Sequence, residues 1–149
     1  MKKSIIIFLA LILFTFLQAQ ETIAFKFNHI ALSVKDVNQS ATFYKNVLQL
    51  QEITNRTKTD GIRWFSLGDN KELHLVSVVK EPVVINKAVH FALNTANFDA
   101  FINKLDAMKI DFSDWPGTRN RITIRADGIK QIYFQDPDGY WIEVNSVSE

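Results

Sequence analysis

Apolar and polar positions alternate along most of this chain as they do in strands, and two stretches switch to the spacing of amphipathic helices. In Phe27-Asn28-His29-Ile30-Ala31-Leu32-Ser33-Val34, the residues Ile30, Leu32 and Val34 fall on one face of an extended segment, and His29, Ala31 and Ser33 on the other. Ala88-Val89-His90-Phe91-Ala92-Leu93-Asn94 repeats this 61 positions later, with Val89, Phe91 and Leu93 opposed to His90, Ala92 and Asn94. A helix-capping residue follows each run, Asp36 and then Asn97, again 61 positions apart. After Asp36, with Gln39 as a capping-box partner, Val37, Ala41, Tyr44 and Leu48 share one helical face; after Asn97, Phe98, Phe101, Ile102 and Leu105 do so. Three strand-like runs follow each helix: Gln51 to Arg56, Ile62 to Leu67 and Glu72 to Val78, then Arg121 to Arg125, Gln131 to Gln135 and Tyr140 to Val147. Turn residues separate them at Asp60-Gly61, Gly68-Asp69-Asn70, Asp127-Gly128 and Asp136-Pro137-Asp138-Gly139. Each half therefore reads β-α-β-β-β, and Glu81-Pro82 marks the junction.

The N-terminus changes the setting. Lys2 and Lys3 precede an apolar run from Ile5 to Leu17, and Gln18-Ala19-Gln20 leads into polar sequence, the anatomy of a bacterial secretory signal peptide over residues 1–20. The run is shorter than the roughly 20 residues of a membrane-spanning helix, so the expectation is cleavage near Ala19 or Gln20 and a periplasmic or secreted protein, with an uncleaved anchor as the alternative. Residues 21–149 are then one domain, with modules at about 27–79 and 88–147. Without Lys2 and Lys3 the balance is 15 basic against 16 acidic residues, which excludes an electrostatic footprint for nucleic acid. The absence of cysteine removes disulfides, lipoprotein attachment and a thiol nucleophile.

The chemistry concentrates in three histidines and one glutamate. His29 and His90 each stand among small or polar neighbours on the face away from the apolar residues, and duplication in register favours a site over two independent hydrogen-bonded strand residues. His74 alternates with Leu73 and Leu75, and Glu143 with Ile142 and Val144. A carboxylate so flanked is costly to bury unless a charge compensates it. A divalent cation supplies that charge, and imidazole with carboxylate suits zinc, nickel, cobalt, manganese or ferrous iron. The four residues occupy the first and last strand of each half, at equivalent places in a duplicated module. The expected fold is α+β, two tandem β-α-β-β-β modules forming a curved mixed sheet around a metal-binding cleft. Trp64, Trp115 and Trp141 are candidates to line it, and Arg63, Arg125 and Lys130 candidates to meet an anionic substrate group.

Phe27 to Val34, followed by Thr42-Phe43-Tyr44-Lys45-Asn46-Val47-Leu48, resembles the opening of the vicinal oxygen chelate superfamily. Tyr133-Phe134-Gln135-Asp136-Pro137-Asp138-Gly139-Tyr140-Trp141-Ile142-Glu143-Val144 resembles its closing strand pair, and is most similar to lactoylglutathione lyase. The resemblance implies metal-ligand roles for His29, His74, His90 and Glu143, one divalent ion per site, and a turn at Asp136 to Gly139 that delivers Glu143. It implies an enzyme acting on a small oxygen-chelating substrate, with Glu143 as the catalytic base of a lactoylglutathione lyase type isomerisation. Thiol transfer, extradiol dioxygenation by His29, His90 and Glu143, and non-catalytic small-molecule or drug binding are the alternatives within the same fold. The sequence departs from bacterial glyoxalases at His74, where glutamate is usual, and at Val78, in place of an asparagine that contacts glutathione. The resemblance further implies a homodimer, with His29 and His74 of one chain facing His90 and Glu143 of the other.

Overall fold

The structure, a computed structural model, describes residues 24–147. The expected signal peptide at residues 1–20 lies outside the described residues. Two modules of like topology follow one another. The first consists of β1 (His29–Ser33), α1 (Val37–Asn46), β2 (Glu52–Ile53), β3 (Ile62–Gly68) and β4 (Lys71–Val76). The second consists of β5 (His90–Thr95), α2 (Phe98–Ala107), β6 (Thr123–Ile124), β7 (Lys130–Gln135) and β8 (Trp141–Ser146). Each makes a four-stranded mixed sheet, ordered β1-β4-β3-β2 and β5-β8-β7-β6. The first strand of each module pairs in parallel with the last, which requires a crossover, and the helix supplies it.

The helices sit where the periodicity placed them. Asp36 accepts hydrogen bonds from the amides of Asn38 and Gln39 and so caps α1, whereas the side chain of Asn97 makes no capping bond to α2. The outer strands are shorter than the sequence predicts. Asn55 accounts for the first, because its side chain accepts from the Thr57 amide and donates to the carbonyls of Thr59 and Ile62, drawing the backbone into a loop after Ile53. In the second module Arg125 leaves the ladder to close a turn in which its amide donates to Ile129 and its carbonyl accepts from Gly128. Gly61, at φ +79, is fixed by space as well as conformation, since a Cβ there would lie 3.0 Å from Ser77 Oγ.

The core is shared between the modules. Leu32, Val34, Phe65, Leu73 and Leu75 from the first sheet meet Ile132, Phe134, Ile142 and Val144 from the second, with Ala41, Tyr44, Phe98 and Leu105 from the helices between them. Polar bonds fasten the same junction. Tyr44 donates its hydroxyl to Asp136 at 2.7 Å, Ser40 to Asp138 at 2.6 Å, and the Lys35 amide to Asp138 at 2.8 Å. The Tyr140 hydroxyl accepts from the Ser33 amide and donates to its carbonyl. The turn at Asp136 to Gly139 thus clasps one module to the other in addition to leading into β8. Because both sheets lay one face on a common core, their other faces point outward, and the histidine positions 29 and 90 are exposed.

Candidate metal centre

Strand register assembles the two outward faces. Ala31 lies beside His74 and His74 beside Trp64, so His29, Glu72, His74 and Trp64 share the face of the first sheet. Ala92 lies beside Glu143 and Glu143 beside Tyr133, so His90, Trp141, Glu143, Tyr133 and Asn145 share that of the second. The duplication is therefore physical: His74 and Glu143 hold the same place, and so do Trp64 and Tyr133.

On the second face, His90 Nδ1 lies 2.9 Å from the Lys87 carbonyl, which can only accept, so Nδ1 carries the proton. In the neutral ring Nε2 then presents a lone pair 3.1 Å from the Glu143 carboxylate. Two electron-rich atoms so placed repel unless a proton on Nε2 or a metal cation lies between them. A divalent metal meets that need, and a backbone carbonyl on the remote ring nitrogen is the support that metal-bound histidines commonly have. Glu143 is 7% exposed. Burial pushes its pKa up, but hydrogen bonds from Tyr133 and Asn145 and, when its ring is protonated, the charge of His90 outweigh burial and hold it below the ordinary glutamate value. Burial, together with the same carboxylate, raises the Tyr133 phenol, which stays protonated.

The first face is built differently. His74 Nε2 donates to Glu72 at 2.8 Å, and Glu72 also accepts from Arg56 at 2.8 and 3.0 Å. These two partners hold the Glu72 pKa below its usual value. The His74 ring is sandwiched, 4.0 Å from Trp64 at 6° on one side and 4.3 Å from His29 at 15° on the other, and Arg56 covers the far side of Trp64 at 4.5 Å. Lone pairs lie in ring planes, so those of two stacked imidazoles run side by side instead of meeting on one ion. His29 bonds Asn28 Oδ1 through Nδ1 at 2.7 Å, which leaves Nε2 for a ligand.

The four expected ligands come together as two pairs, one on each sheet. Among the described residues no three histidine, aspartate or glutamate side chains converge on a point that could hold a metal within one chain. Of the other candidates, Trp64, Trp115 and Trp141 all stand on or beside these faces. Arg63 is engaged with Glu52, Arg125 with Asp127 and Lys130 with Asp99, so none of the three is directed at the site. Glu72, Tyr133 and Asn145 carry no signal in the sequence beyond their position two residues from, or across a strand from, a candidate ligand.

The Glyoxalase/Bleomycin resistance protein/Dioxygenase superfamily model matches residues 26–144. The chain belongs to that superfamily. Among its curated relatives is the uncharacterized protein YwbC of Bacillus subtilis, 31% identical over 124 residues that span 79% of this chain and 94% of the relative. Metallothiol transferase FosB of Shouchella clausii is 27% identical over 122 residues, spanning 80% of this chain and 78% of FosB. Lactoylglutathione lyase from Agrobacterium tumefaciens shares the fold with a TM-score of 0.63 and 18% identity, covering 84% of this chain and 96% of the lyase.

Proposed function

We propose that this superfamily member is an exported, divalent-metal-dependent enzyme that acts on a small substrate bearing two neighbouring oxygens. The observation that carries this reading is the His90–Glu143 pair, whose facing lone pair and carboxylate are matched to a cation. His29 of one chain with His90 and Glu143 of its partner would hold the ion. A bound divalent metal polarises a carbonyl and stabilises negative charge developing on oxygen. Glu143, kept ionised by Tyr133 and Asn145, accepts the proton from the carbon beside that carbonyl, as in the isomerisation of an aldehyde–thiol adduct. Glu143 returns that proton to the neighbouring carbon, and His74, with Nε2 committed to Glu72, would serve as a fourth ligand through Nδ1 only once its ring leaves the stack on His29. The export address rests on the N-terminal sequence. Its check is the N-terminus of protein taken from a periplasmic fraction, expected near Gln20.

Thiol transfer to a metal-held electrophile is the second reading. It is favoured by likeness to FosB and by the lone carboxylate on the Glu143 face.

Loading with zinc, nickel, cobalt or manganese followed by desalting and elemental analysis should find about one ion per chain, and His90→Ala should lower affinity at least roughly tenfold. Wild-type protein that retains no metal overturns the reading. Unchanged occupancy in His74→Ala removes His74 alone from the ligand set. Turnover of methylglyoxal–thiol adducts supports the isomerase, and loss of fosfomycin in the presence of a thiol supports the transferase.

A further inference from the structure

Beside the His90–Glu143 pair, the segment after Phe112 is gripped by one lysine in addition to the Ser113–Tyr133 backbone pair. Lys87 Nζ donates to Ser113 Oγ at 3.1 Å, to the Asp114 carbonyl and to the Trp115 carbonyl at 3.1 Å. An ammonium has three hydrogens, and these acceptors use all of them. The same nitrogen sits 4.7 Å from the ring centres of Tyr133 and Trp141 and 5.9 Å from that of Trp115. Its carbonyl is the group that fixes His90. The segment it grips is itself closed. The Thr118 amide donates to the Asp114 carboxylate at 2.7 Å, the Gly117 amide to the Asp114 carbonyl at 3.1 Å, and Ser113 bridges to both Arg119 and Tyr133.

Trp115 rides on this loop. Its ring stands edge-on to His90 at 6.1 Å and to Tyr133 at 5.5 Å, yet 51% of the residue is exposed. A large apolar ring held rigidly beside a polar pair and left half in water offers contact area to something not part of this chain. Lys87 has no donor left for a ligand, because its three are consumed by the loop, while its charge stays beside the rings of Tyr133 and Trp141. What reaches the cleft is an aromatic wall.

On the reading of a metal site, we propose that Trp115 selects the substrate, and that Lys87 is the positioning residue that sets its ring. The class selected is a chelating substrate with a planar apolar group beside its two oxygens, stacked or edge-on against the indole. The test compares two hydroxamates that chelate through the same oxygens, benzohydroxamate and acetohydroxamate, titrated calorimetrically into zinc-loaded full-length mature protein.

Trp115→Ala should reduce the ratio of benzohydroxamate to acetohydroxamate affinity by about fivefold, the scale of one aromatic contact. Metal content should be retained. Lys87→Met should reduce the ratio by a similar factor, and a ratio is insensitive to the fraction of molecules folded. If Lys87→Met does not fold, Trp115→Ala alone decides. An unchanged ratio in metal-replete Trp115→Ala overturns the inference and leaves the metal site standing. So does an unchanged ratio with dimers turned into monomers, which would make Trp115 an interface residue. Protein that binds no zinc overturns the metal reading and this inference with it.

Discussion

Asp136 accepts the Tyr44 hydroxyl and the amides of Asp138 and Tyr140, yet burial holds its pKa above the ordinary aspartate value. A group that keeps its proton longer in the folded state contributes stability in full below its unfolded pKa. That contribution is lost as pH rises through the folded one. Asp136→Asn keeps an acceptor for Tyr44 without the charge. The variant should therefore gain on the wild type as pH rises from about 4 through that window. Urea unfolding across the pH series measures this, and a pH-independent difference between the two proteins contradicts it. At this scale the sequence was informative wherever alternation alone decides: His29, His90, His74 and Glu143 each lie on the predicted face. It was silent where contact depends on neighbours in space. Nothing along the chain indicates that Lys87 closes around Trp115, or that His74 lies stacked between Trp64 and His29.

Helix and strand boundaries show where local chemistry overrides periodicity. Both helices were legible from their apolar spacing, and both candidate caps follow the same rule, but the two differ in what they do. Asp36→Ala should cost about 1 kcal/mol of stability and Asn97→Ala a few tenths at most, because only the first removes a capping bond. Equal losses in denaturant titrations of the two variants would show that the α1 cap contributes nothing. The outer strands were legible but end sooner than alternation suggests, because side chains such as Asn55 compete for backbone groups that the ladder would otherwise use. Register was also hidden. Parallel pairing of β1 with β4 and β5 with β8 sets which residues meet across the face, and the crossovers that determine it are tertiary.

The whole molecule turns the His29–His74 and His90–Glu143 faces outward from one core, so on the proposed reading a second chain is what brings them together. Mixing His29→Ala with Glu143→Ala chains through denaturation and refolding should restore about one intact metal site in each mixed dimer of a twofold assembly. Sedimentation of a monomer that binds metal tightly would refute this arrangement. The tandem modules were readable from the repeat, whereas the clasp from Asp136, Asp138 and Tyr140 to the first module was not, since it joins positions about a hundred residues apart. The division of each strand between a core face and an outer face has a longer-term consequence. None of His29, His74, His90, Glu143, Trp64 or Tyr133 belongs to the packed cluster that holds the modules together. Exposed positions of the outer face, His29 and His90 first among them, can thus change while the interior stays intact. Descendants of one such chain are free to acquire new ligands, new substrates or no chemistry at all, each built on the same unaltered interior.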